Sequence, residues 1–188
     1  SEGRSHRRPS GRRDPVTDAA GSLPLFPLQA VLFPGGLLAL KVFEARYLDL
    51  VGDCLRTQQP FGVVALKQGR EVRTPGEQPR FEPVGTQAEL IDVDSAQPGI
   101  LQVRCRGTTR FSLGATQQQA NGLWCTVATG LDADEAVAPD AALIETVKGL
   151  AKAIGSLKTQ GHEPFLEPYR FDDCGWVANR WCELLPVP

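Results

Sequence analysis

The chain has 188 residues, 41% of them hydrophobic and 22% charged, a composition that supports a folded core and excludes a disordered or fibrous chain. Its formal net charge is −2, and five Arg fall in the first 18 residues, so the remainder is mildly acidic and poorly suited to gripping nucleic-acid phosphates. Five cysteines, at 54, 105, 125, 174 and 182, form no C-x-x-C pair, and their odd number points to a reducing, cytoplasmic interior.

Residues 1–21 hold almost no apolar side chains and many Arg, Pro, Gly and Ser, so they are expected to form a flexible tail. A basic segment ahead of an apolar one is also the layout of an export signal. The apolar run here is full of proline and no small-residue cleavage site follows it, which disfavours that reading. The same run, Leu23 to Leu40, is long enough to span a bilayer. Pro24, Pro27, Pro34 and Gly35-Gly36 would break such a helix repeatedly, so no membrane span is expected.

The run reads instead as an extended segment over 23–28, a turn at Phe33-Pro34-Gly35-Gly36, and a strand over 37–42 apolar enough to be buried on both faces. The period then changes. Phe43, Tyr47, Val51 and Cys54/Leu55 share one stripe, with Arg46, Asp49, Asp53 and Arg56 opposite, so 44–58 reads as an amphipathic helix stopped by Gln58-Gln59-Pro60. Phe61 to Leu66 returns to a strand, followed by a hairpin turn at 67–72 and a Pro-rich flap at 74–80. Residues 84–93 alternate as a half-buried strand that turns at 94–99. Residues 101–113 alternate most clearly, with Gly107 marking a bulge or a close backbone approach. Asn121-Gly122 opens another strand over 123–129, and strands this short at this spacing suit a small barrel.

Residues 131–139 are acidic and Ala-rich, as a linker is. Asp140 then caps a helix on Leu143, Val147, Leu150, Ile154 and Leu157, stopped by Gly161, with Gly149 and Gly155 inside it suggesting close packing. After a Pro-containing crossing at 162–171, Asp172 is expected to cap a last helix with Val177, Trp181 and Leu184 on one stripe, ended by Pro186. Trp176 falls on the opposite side of that helix from Trp181, which puts one of the two at a contact or in solvent.

Chemistry is sparse. No G-x-x-x-x-G-K-[ST] loop occurs, and His6 and His162 are the only histidines, which disfavours a Cys/His metal cage; a Ser-His-Asp arrangement would have to use His6 of the tail or His162, which reads as a solvated loop histidine. The carboxylate groups Asp92/Asp94, Asp132/Asp134/Glu135 and Asp172/Asp173 sit where turns and helix caps need them. No catalytic residue, cofactor or metal is expected.

Several pieces together carry a resemblance: Leu23-Pro24-Leu25-Phe26-Pro27-Leu28, Leu32-Phe33-Pro34-Gly35, Val42-Phe43-Glu44-Ala45-Arg46-Tyr47 and Phe61-Gly62-Val63-Val64. Val84-Gly85-Thr86, Gly107 to Leu113 and Trp176-Val177-Ala178-Asn179-Arg180 extend it. In order and spacing these resemble the N-terminal substrate-binding domain of the Lon ATP-dependent protease over roughly residues 22–188. The resemblance implies an α+β, mainly β fold. Its parts would be a PUA-like β-barrel with an inserted helix over 22–131, a linker at 132–138, and a C-terminal helical subdomain over 139–188. Family members usually continue with further helices, which leaves the completeness of the helical part open.

The implied role is noncatalytic recognition of unfolded or extended polypeptides, with Lon protease or other proteins as partners. The rival reading is an RNA-binding protein, since PUA-like barrels as a class often bind RNA. Neither nucleic acid nor membrane is expected as a partner on the charge pattern, and the oligomeric state stays open. Within the matching segments, Glu44, Arg46 and Arg110 read as structural ion pairs or as ligand-facing charges. Phe33, Phe43 and Tyr47 read as core residues or as an exposed aromatic groove, and Trp176 joins them as a candidate binding residue.

Overall fold

A computed structural model of the chain describes residues 22–68, 71, 76 and 78–185. The expected tail, the tip of the turn near 69–72, much of the flap at 74–80 and the stop at Pro186 fall outside the described residues. The elements in order are β1 (Leu23–Leu28), β2 (Leu37–Val42), α1 (Ala45–Thr57), β3 (Phe61–Gln68), β4 (Arg80–Phe81) and β5 (Val84–Gln97). They continue with β6 (Ile100–Gln118), β7 (Trp124–Gly130), α2 (Ile144–Thr159) and α3 (Cys174–Leu184). The fold is mostly β sheet with a few helices.

The strand pairings close on themselves. β1 pairs with β7, β7 with β6, β6 with β5 and β5 with β3, all antiparallel, and β3 runs parallel to β1, so the path returns to its start. β1 meets β7 only through Leu23 and Pro24, which limits how much a strand with two prolines is asked to donate. β2 stands off this ring and pairs only with β6, and β4 pairs only with β3, among the described residues.

Helix α1 turns Tyr47, Leu50, Val51 and Cys54 toward Phe26, Leu28, Val42 and Phe61 of the strands, a spacing of three and four that puts them on one face. Each such burial contributes about 1.5–3 kcal/mol. Gln58 ends the helix in the left-handed region at φ 56°, its N–H bonding the Cys54 carbonyl. A second apolar cluster, Leu23, Leu25, Val64, Phe111 and Ala128, fills the other end of the ring. A third, Leu150, Ile154, Phe165, Trp176 and Val177, belongs to α2, α3 and their connection. No helix among the described residues is long and apolar enough to cross a membrane.

Several expectations need correction. β2 is not buried on both faces: only Val42 is fully covered, while Ala39 and Lys41 are exposed, because a strand with one partner leaves an edge in solvent. The α1 stripe excludes Phe43 and Leu55, which are 52% and 53% exposed, and includes Leu50. Arg46, placed by its charge on the polar face, is 7% exposed and points into the protein. α3 is capped by Asp173, whose carboxylate accepts from the Gly175 N–H at 3.0 Å, not by Asp172. Asp140 accepts from the Leu143 N–H in the turn before α2, so the helix itself starts three residues later than the cap implied. A Cβ at Gly155 would meet nothing within 4 Å, so that glycine does not mark close packing.

The Gly107 reading is answered by geometry. The Gly107 N–H donates to the Gly36 carbonyl at 2.9 Å, and the Gly35 N–H donates to the Gly107 carbonyl at 2.8 Å. A Cβ there would lie 2.3 Å from the Phe33 carbonyl oxygen. Close backbone approach is therefore the reason for the glycine, and the β5–β6 register also shifts beside it, between Thr86 and Ala88.

Candidate functional site

The turn at residues 33–36 is the piece around which a site assembles. Gly35 adopts φ 74° and the Gly36 N–H bonds the Phe33 carbonyl at 2.9 Å, a tight turn that proline and glycine make possible. Gly107 holds one side of it. On another side, the Thr86 hydroxyl donates to the Leu32 carbonyl at 2.7 Å, fixing the approach to the turn against β5. From α3, the fully buried Arg180 donates through Nη2 to the Pro34 carbonyl at 3.0 Å and to Glu183 at 2.9 Å. Burial lowers the Arg180 pKa and raises that of Glu183, each toward its neutral form, while their mutual attraction opposes both shifts.

The stretch 131–139 is an exposed connection that is hydrogen-bonded at both ends. Its start is bonded where the Leu131 N–H reaches the Arg110 carbonyl at 2.9 Å, and its end where the Cys174 N–H reaches the Val137 carbonyl at 2.7 Å. Between them Arg110 Nη2 meets Asp134 Oδ1 at 2.7 Å. The Arg110 side chain is 33% exposed and that of Asp134 is 79% exposed, so this pair contributes at most about 1 kcal/mol. A pair that weak can be exchanged for a ligand's charge.

These elements leave a cleft between the sheet and α3. It consists of two adjoining hollows of about 430 and 340 Å³ that share Pro34, Arg110, Asp134 and Asn179. Phe33 lines the first, with Val31, Pro83 and Val84, and Trp176 lines the second. Trp176 is otherwise part of the helical core, edge-on to Phe165 and Phe171, so it presents a held ring rather than a free one. Trp181 is partly exposed and its indole N–H bonds the Thr146 carbonyl at 3.2 Å. Phe33, Arg110 and Trp176 are thus brought together.

The remaining candidates lie elsewhere. Phe43, Glu44 and Tyr47 line a separate groove of about 370 Å³ beside β2. Arg46 lines neither. Its Nε meets Glu44 Oε2 at 2.9 Å, its Nη1 donates to the Gly122 carbonyl at 3.0 Å, and its guanidinium lies 4.6 Å from the centre of the Tyr47 ring. It ties α1 to the turn before β7. Burial pushes the Tyr47 phenol up to about 12, with Arg46 pulling the other way. Burial also pushes the Cys54 and Cys105 thiols up to about 11 and about 12. The Tyr47 hydroxyl, Gln87 Nε2 and two donors of Arg180 are buried without hydrogen-bond partners among the described residues.

Arg180 and Asn179 were missed as candidates although the matching segment Trp176-Val177-Ala178-Asn179-Arg180 contains both. The available signal was a charged residue at the spacing of an apolar stripe, four after Trp176 and three after Val177. Chemically the cleft offers apolar walls, the guanidiniums of Arg106, Arg110 and Arg170, the carboxylates of Glu82, Asp134, Glu167 and Asp173, and the Asn179 amide. Among the described residues no three His, Cys, Asp or Glu side chains converge as a metal site would require.

The family model of the ATP-dependent protease La (LON) substrate-binding domain matches residues 22–188. Among curated proteins the chain is 31% identical over 97 residues to a Lon protease of Anaeromyxobacter dehalogenans, and 30% identical over 99 residues to Lon protease 2 of Myxococcus xanthus. These matches take in 51% and 52% of this chain but span only 11% and 12% of those relatives. Among solved structures, the Lon N-terminal domain protein from Xanthomonas campestris is 32% identical with a TM-score of 0.67, over 89% of this chain and 84% of that one. With closed strand pairing, an inserted α1 and a match through almost the whole described chain, this protein belongs to the LON substrate-binding domain family.

Proposed function

We propose that the chain is a noncatalytic polypeptide-binding module, built as a PUA-like β-barrel over 22–131, a linker at 132–138 and a helical subdomain over 139–188. The closed path of strand pairing supports the barrel, and the separate apolar cluster of α2 and α3 supports the helical subdomain. Its ligands are unfolded or extended polypeptides, held in the cleft between the sheet and α3. The observation that carries this reading is the convergence of Phe33, Arg110 and Trp176 on one cleft in a chain of this family. Apolar walls take exposed apolar side chains, and Arg110 trades Asp134 for a carboxylate or carbonyl of the bound chain. No disulfide joins the cysteines of the described residues, which suits work in the cytoplasm.

The test is fluorescence anisotropy with a reduced, alkylated model protein that cannot refold, compared with its native form. Capture of the unfolded form alone, weakened by Arg110→Ala together with Phe33→Ser, supports the proposal. Equal neglect of both forms sinks it.

A further inference from the structure

The groove beside β2 has features that the cleft does not explain. Leu38, Ala39, Leu40, Lys41, Val42 and Phe43 all line it. Consecutive residues of a strand point to opposite faces, so a groove lined by all of them runs along the strand's edge. That edge is unpaired among the described residues, because β2 has β6 as its one partner. Every second residue of such an edge directs a backbone N–H and C=O outward.

The opposite wall is one face of the chain at β1, from Phe26, Leu28 and the following Ala30. Tyr47 completes the lining. Its ring is stacked on Phe26 at 4.2 Å and 95% of the residue is covered, yet its hydroxyl has no hydrogen-bond partner among the described residues. A buried hydroxyl left unpartnered costs free energy, and one beside an open groove is placed to bond whatever fills it. The rim carries Lys41, Glu44 and Glu71, with Glu44 already held by Arg46 and Glu71 accepting from the Gln29 N–H at 2.6 Å. Such a rim favours an uncharged occupant over a phosphate backbone.

We infer that the edge of β2 is a second docking site, which takes an extended, uncharged, apolar segment of another polypeptide as an added β-strand. The added strand bonds the outward groups of residues 38–43, its inward side chains pack on Leu38, Leu40 and Phe26, and one of its polar backbone groups meets the Tyr47 hydroxyl. At about 3.3 Å per residue the groove holds roughly six residues, a length that any unfolded segment can present. The inference rests on the polypeptide-binding reading for its ligand class, but it assigns a different place and a different mode of recognition.

The probe is a labelled synthetic peptide of alternating valine and threonine carrying a photo-cross-linking phenylalanine analogue. Two further versions are N-methylated on alternate residues, in one phase or the other. The parent and one methylated phase should bind, the other phase should bind at least about tenfold more weakly, and cross-links should map to residues 38–43. Tyr47→Phe should weaken the parent by about two- to tenfold, the scale of one neutral hydrogen bond, with the circular dichroism spectrum unchanged.

Equal binding of both methylated forms, no binding of the parent, or cross-links at Arg110 and Trp176 would overturn the inference. In each of those cases capture of the unfolded model protein, sensitive to Arg110→Ala, still decides the cleft separately. Conversely, phase-dependent binding at β2 with no effect of Arg110→Ala would remove the cleft and leave this site standing.

Discussion

Replacing Gly107 with alanine should be the most damaging single-methyl change in the protein, because the added carbon has no direction in which to yield. It would sit 2.3 Å from the Phe33 carbonyl oxygen and 3.1 Å from Leu32 Cγ, and the nearer neighbour is backbone. The turn at 33–36 must retreat by the better part of an ångström. That movement strains both bonds between Gly107 and the Gly35-Gly36 pair, at 2.8 and 2.9 Å. Two backbone hydrogen bonds at about 1 kcal/mol each, plus about 1–3 kcal/mol for overpacking, give a loss of roughly 3–5 kcal/mol. A domain of this kind holds about 5–15 kcal/mol in total. Urea unfolding followed by tryptophan fluorescence measures the change, with Gly155→Ala as the reference. That helix-interior glycine has open space, so alanine there should stabilise by about 0.5–1 kcal/mol. A cost below about 1 kcal/mol at Gly107 would show that the turn is soft, and the account of how the cleft wall is held would then fail.

Tyr47→Phe should raise stability by about 1 kcal/mol or more, since it removes a buried hydroxyl without a partner, and a lower urea midpoint would contradict this. Arg180→Ala should cost about 3–5 kcal/mol, because it strands Glu183 and the Pro34 carbonyl at the joint between α3 and the turn; an unchanged midpoint would refute that role. Iodoacetamide at neutral pH should label exposed Cys182 first and leave Cys54 and Cys105 intact until the chain unfolds, as mass spectrometry of tryptic peptides would reveal. Stability should fall on the alkaline side. Tyr47, Cys54 and Cys105 have folded-state values raised to about 12, 11 and 12, so the unfolded chain sheds their protons first. Below about pH 9 they contribute no difference; above about pH 9 for the two thiols, and above about pH 10 for the Tyr47 phenol, each unit of pH costs about 1.4 kcal/mol per group until its folded value is reached. A urea midpoint that is flat between about pH 8 and pH 10.5 would refute the burial of these groups.

The elements with a strong period were legible in the sequence. β6 alternates because one face packs on the core, and α1 repeats at 3.6 because one face does, so the pattern is the burial written out. The errors cluster where charge and burial part company. Arg46 and Arg180 look like surface residues by type, yet both are buried because backbone carbonyls of Gly122 and Pro34 wait for them from 76 and 146 residues away. No local pattern announces a partner that distant. β2 was misjudged for the complementary reason: an apolar run says that water is unfavourable, but not whether a second strand is present to exclude it. Of the candidate residues, three met at the cleft and three at the β2 groove. Type and motif membership picked out residues near hollows, while only the fold divided them between two.

That division follows from how the two sides of the molecule are built. At the cleft, the helical cluster and the ring clusters are separate apolar bodies, and the joint between them is polar: Arg180 to Pro34, Cys174 to Val137, Arg110 to Asp134. Polar joints fix direction without filling space, and the space left over is the cleft. At β2, by contrast, the ring core itself reaches the surface, because β1 leaves β7 after Pro24 and β2 has no neighbour on its outer side among the described residues. What is missing there is a strand, and its absence leaves partly buried Leu38 and Leu40 packed on the core with an unpaired backbone edge beside them. A cleft made by imperfect contact between two bodies accepts many shapes, whereas a gap in a sheet accepts only an extended backbone. Selectivity for sequence is therefore expected to be weak at both sites, and selectivity for unfolded over folded chains to be strongest at β2, where a helix or a compact surface cannot supply the outward-facing amides and carbonyls that the edge requires.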